Sequence, residues 1–120
     1  MQPTYARALR IRDVQRLTEA WRKASSDLEW TSKTEVRLVQ QLGAHDIRGQ
    51  LDEVDCRTNL CRIKFDFANI NDARALYRIE RLPGYDIYPD TVVEHGRAKV
   101  TVFVARPGVN VSEITSPPVR

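Results

Sequence analysis

Val54-Asp55-Cys56-Arg57-Thr58-Asn59-Leu60-Cys61-Arg62-Ile63-Lys64-Phe65-Asp66-Phe67 is the stretch on which the fold turns. After Leu60, the residues Cys61, Ile63, Phe65 and Phe67 alternate with Arg62, Lys64 and Asp66. That is a period of two, apolar on one side and charged on the other, and it predicts a strand over 60–67. Before the cysteines, Val54 and Cys56 share one side with Asp55 opposite. Arg57-Thr58-Asn59-Leu60 between them suits a short hairpin loop. Strands paired across it bring Cys56 opposite Cys61 and Val54 opposite Ile63. Residues directly opposite each other in an antiparallel ladder are near enough to be bridged by a disulfide. Inert buried thiols, a reversible redox pair and half of a metal site are the alternatives. The last lacks a second cysteine pair or paired histidines to complete it, so no metal ligand set and no cofactor are assigned.

The run Val54-Asp55-Cys56-Arg57 with Leu60-Cys61-Arg62-Ile63 resembles a V-x-C-R-x-x-x-C-R pattern of poorly characterised exported Gram-negative bacterial proteins, myxobacterial ones among them. In that group a tryptophan and then a glutamate stand on a helix shortly before the cysteines, as Trp30 and Glu35 do here. The resemblance spans Asp27 to the helix after Phe67. It implies a periplasmic or secreted location and an oxidised cysteine pair, and it transfers no catalytic residue. Met1-Gln2-Pro3 begins directly in polar sequence, so an exported protein is expected here as a mature domain trimmed of its leader.

A chain of 120 residues is read as one domain with a core of useful size. The expected division is an N-terminal arm over 1–12, flexible or an early start of the first helix, then an α+β domain over 13–106 and a flexible tail over 107–120. No apolar run is long enough to span a membrane. Nineteen basic and sixteen acidic residues give a net charge of +3. They interleave through most of the chain, which argues against nucleic acid as a partner.

Val14, Leu17, Trp21, Ala24 and Leu28 fall at helical spacing and predict a first helix over about 13–26, capped by Asp13. Ser32-Lys33-Thr34-Glu35 reads as a capping box that starts a second helix over about 33–42, with Val36, Leu38, Val39 and Leu42 as its apolar stripe and Gly43 as its terminator. A first hairpin strand over 47–55 needs a β-bulge between Gly49 and Glu53, because Ile47 and Leu51 have one parity and Val54 and Cys56 the other. Asn69 to Asp72 carries capping side chains for a third helix over about 72–82, ended by Pro83-Gly84. Tyr85 to Tyr88 reads as an edge strand or loop. Thr91–Glu94 and Ala98–Ala105 form a second hairpin about His95-Gly96. Valines on one side of its last strand and Phe103 on the other mark a central strand, covered on both faces.

The elements add up to an α+β fold: an antiparallel sheet of four or five strands with two or three helices on one face, a ferredoxin-like or split βαβ variant. Three functional readings follow. The first is a non-enzymatic interaction or structural module of the bacterial cell envelope, with an unknown protein partner. Its surfaces would be the open sheet edges and Arg57, Arg62, Arg74, Arg78 and Arg81. The second is a small-ligand-binding or enzymatic domain with a site assembled from His45, Tyr85, Tyr88 and His95. The third is an RRM-like sheet, which needs exposed aromatics; the parity of Phe65 and Phe67 with Cys61 places them in the core instead.

Overall fold

A computed structural model describes residues 3–44, 49–76 and 86–115. Its elements run α1 (Pro3–Lys23), α2 (Leu28–Ala44), β1 (Gln50–Cys56), β2 (Leu60–Phe67), α3 (Ile70–Leu76), β3 (Asp86–Glu94), β4 (Arg97–Ala105) and α4 (Val111–Thr115). The four strands form one sheet in the order β1-β2-β4-β3, with every neighbouring pair antiparallel. The fold is α+β. Strands β2 and β3 both run against β4, so they are parallel to each other with β4 between them and α3 on the connection. That is a split βαβ unit, and moving the final helix and strand of a ferredoxin-like β-α-β-β-α-β order to its front gives the order α2-β1-β2-α3-β3-β4.

The hairpin register is Cys56 opposite Cys61 and Val54 opposite Ile63. The bulge falls between Leu51 and Glu53, leaving Asp52 as the extra residue. It lets Leu51 and Val54, three positions apart, both pack on the core. Phe67, Phe65, Ile63 and Cys61 point to one face with Val100 and Val104, where α2 contributes Trp30 and Leu38 and α3 contributes Ala73. Leu60, Phe103 and Ala105 point to the other face, under Leu17 and Trp21 of α1 and Val111 of α4. Two helices thus share one face, and the other two cover part of the reverse. Strand β4 is central and flanked on both sides, as Phe103 and its valines predicted.

Several helix limits differ from those read in the sequence. The first helix begins at Pro3, ten residues before Asp13, so most of the stretch assigned to an arm is helical. Proline is well suited to a first helical turn, where its missing N–H is not needed. The second helix begins at Leu28 and is capped by Asp27, whose carboxylate accepts the Trp30 N–H at 3.1 Å. Ser32 and Glu35 therefore lie inside the helix. With the axis so placed, Leu38 and Trp30 face the sheet, while Val36, Val39 and Leu28 are exposed. Residues 111–115, assigned to a flexible tail, form α4, whose Val111 is buried against α1. Asn69 caps α3 as expected, accepting the Asp72 N–H at 2.8 Å. The second half of that helix as read from the sequence lies outside the described residues.

Candidate functional site

The cysteine turn is built into the molecule from three sides. Arg57 N–H donates to the Leu60 carbonyl at 2.8 Å and closes the loop. Cys56 and Cys61 are joined by a disulfide, and neither has any exposed surface. In this register the N–H and C=O of Cys56 point away from β2. The N–H donates to the Thr31 hydroxyl at 2.8 Å, and the C=O accepts from the Asp27 N–H at 2.8 Å. The start of α2 thus satisfies backbone groups that an edge strand would otherwise leave open. The connector between α1 and α2 binds the loop itself. Thr58 N–H donates to the Ser25 carbonyl at 3.0 Å, and the Arg57 guanidinium donates to the Ala24 carbonyl at 3.1 Å. Asn59 donates its side-chain amide to Ala20 at 3.3 Å and accepts the Arg106 N–H at 3.0 Å.

The arginines after each cysteine meet on one ring. The guanidinium of Arg62 lies 3.8 Å from the centre of Trp21, and that of Arg57 lies 4.3 Å from it. Trp21 is 6% exposed, and its indole N–H donates to the Asp55 carbonyl at 2.8 Å. Cation–π contacts gain strength in such desolvated settings. Each arginine also has a carboxylate: Arg57 pairs with Asp55 at 3.1 Å and Arg62 with Glu53 at 3.1 Å. A second, smaller stack stands at the start of α2. Arg106 lies 4.3 Å from the centre of Trp30 and pairs with Asp27 at 2.5 Å. The Arg106 hydrogen bond, and then the Trp30 N–H, hold the Asp27 carboxyl below its usual range.

Chemically, this constellation positions and stabilises. The sulfurs are already bonded to each other, and both motif arginines are half-buried and occupied by a ring and a carboxylate. Of the five arginines assigned to an interaction surface, Arg57 and Arg62 are therefore engaged within the fold. Arg74 is exposed on α3, and Arg78 and Arg81 lie outside the described residues. Tyr88 donates its hydroxyl to Asp13 at 3.2 Å under α1, where burial and then Asp13 push its pKa up. His95 sits in the β3–β4 turn just past the end of the same strand, about 24 Å away at about 3.4 Å per residue. The structure does not bring these two together; His45, Asp46 and Tyr85 lie outside the described residues. Among the described residues, no three His, Cys, Asp or Glu side chains converge to hold a metal, and no helix is long and apolar enough to cross a membrane.

Asp27 and Arg106 escaped sequence reading as a pair because 78 residues of chain separate them. Asp27 alone carried a legible signal, an acidic residue three positions before Trp30 in a helix start. No protein-family model, no curated protein and no solved structure matches the chain.

Proposed function

We propose that this chain is a non-enzymatic interaction or structural module of the bacterial cell envelope, working in the periplasm or outside the cell. The observation that carries the reading is the use of the V-x-C-R-x-x-x-C-R motif. Its cysteines are a buried disulfide, and its arginines stack on Trp21, so the motif serves architecture. A buried disulfide in a small domain fits an oxidising compartment, in agreement with the exported proteins whose motif this one resembles. The partner-facing region favoured by the geometry is the end of edge strand β3, where Val92 and Val93 are exposed on opposite faces beside the turn. Pro89, which brings no N–H, restricts strand addition to the part of β3 after it.

The test is thiol trapping in cells that make the natural full-length protein. Alkylation at the moment of lysis leaves Cys56 and Cys61 unmodified until a reductant is added. Free, alkylated cysteines in those cells overturn the assigned compartment. A photo-crosslinking residue at Val92 then gives a discrete adduct in intact cells, and the same residue at Ser112 on α4 does not. Equal labelling at both positions removes β3 as the binding edge.

A further inference from the structure

The Cys56–Cys61 disulfide is covered by the first two turns of α2. Thr31 holds the Cys56 N–H, the Thr34 hydroxyl stands 3.7 Å from the Cys56 sulfur, and Trp30 packs on the same core cluster. Ahead of Thr31, Asp27 fastens the start of this cover at three points. The Asp27 N–H donates to Cys56 O at 2.8 Å, one carboxylate oxygen caps Trp30, and the other takes Arg106 at 2.5 Å. Arg106 follows directly on β4, so the fastening ties α2 to the central strand of the sheet. Further along, α2 is held on one side only, with Val36 and Val39 exposed on its outer surface.

We propose that the first two turns of α2 are a lid over the disulfide, latched by Asp27 and Arg106, and that a thiol reductant reaches the sulfurs when this lid opens locally. The chemistry is ordinary exchange. A thiolate of a dithiol attacks one cysteine sulfur, the S–S bond breaks, and the other cysteine leaves as thiolate. The reagent's second thiolate then displaces the first cysteine. Two protein thiols and one cyclic oxidised reagent result, with both electrons coming from the reagent. What the fold controls is access, through an opening of less than the whole molecule.

The experiment measures the rate of reduction by dithiothreitol under native conditions, read by quenched alkylation and intact mass, beside the global unfolding free energy of each variant. Asp27→Asn keeps a capping side chain and removes the charge that Arg106 needs, so reduction accelerates several-fold beyond what its global stability accounts for. Arg106→Lys accelerates it less, and it carries the test if Asp27→Asn does not fold. Val111→Ala, on the opposite face, follows global stability alone. The lid is overturned if the rates of all variants fall on one line against unfolding free energy, or if the wild-type disulfide is reduced as fast as that of an unfolded peptide carrying the same loop.

Discussion

The sheet contains two hairpins, and they are held in opposite ways. The β1–β2 turn is bound from outside: a disulfide, the α1–α2 connector, the start of α2 and the residue after β4 all attach to it. Its loop, Arg57-Thr58-Asn59-Leu60, contains no glycine and no proline. The β3–β4 turn has exposed residues on either side and carries its own geometry, with His95 at φ 51° and Gly96 at φ 78°. Such left-handed pairs match the twist of a two-residue hairpin loop. A turn fixed by tertiary contacts can be written in almost any residues, whereas an unsupported one must be written in turn residues.

If that contrast is right, the largest loss comes from removing the ring on which the first turn is seated. Trp21→Ala deletes a buried side chain, the indole bond to Asp55 and the platform of Arg57 and Arg62. About 3–5 kcal/mol is expected, typical of large aromatic truncations. Urea denaturation followed by circular dichroism checks it, and a loss under about 1 kcal/mol, the scale of an exposed-site change, would show that the two arginines hold the turn without the ring. Replacing both cysteines with alanine costs less. The closed loop is short, with a sequence separation of 5, and chain entropy then supplies about 2 kcal/mol. The double-alanine variant is expected to keep the same hairpin register, read from cross-strand proton contacts by NMR, because the hydrogen bonds between this turn and Asp27, Thr31 and Ser25 remain. A shifted register would mean that the covalent link alone sets the turn.

The same contrast explains what the sequence made legible. Strand register, the bulge and both hairpins could be read because period-two alternation and turn chemistry are local, so Val54 opposite Ile63 follows from counting. Helix limits were harder. Ser32 and Glu35 imitate a helix start at positions where the chain is already helical, since the same residue types are acceptable on an exposed helix face. The last helix had a signal of its own: Asn110 and Glu113 are spaced as a capping pair, and the Asn110 amide donates to Glu113 at 3.0 Å. The two Trp–Arg stacks could not be read at all. Trp21 with Arg57 and Arg62, and Trp30 with Arg106, join residues that only the finished fold makes neighbours.

At the second hairpin the expected effects are smaller. Gly96→Ala places a side chain at φ 78°, with open space around it, so the cost is the backbone preference alone, about 1 kcal/mol. A thermal melt several degrees below wild type checks it; an unchanged melt would show that this turn too is held from outside. The smallest expected effects separate the two regions by sign. Asp27, at the cysteine turn, has its pKa lowered by the Arg106 hydrogen bond and then by the Trp30 N–H. Its ionised form therefore stabilises the fold above the unfolded carboxylate value near pH 4, and that contribution is lost as pH falls through the lower folded value. Asp90, on β3, has its pKa raised by burial, which Arg10 at 3.8 Å only partly offsets. The folded state holds that proton longer than the unfolded one, so the cost of Asp90 is absent below about pH 4, grows as pH rises from there, and is complete once pH has passed its folded value. At pH 7, Asp27→Asn should lower the melting temperature and Asp90→Asn should raise it, and both differences should shrink toward zero as the solution is acidified below pH 4. Two shifts of the same sign at pH 7 would break the distinction, since one of the carboxylates would then sit in an environment opposite to the one its neighbours create.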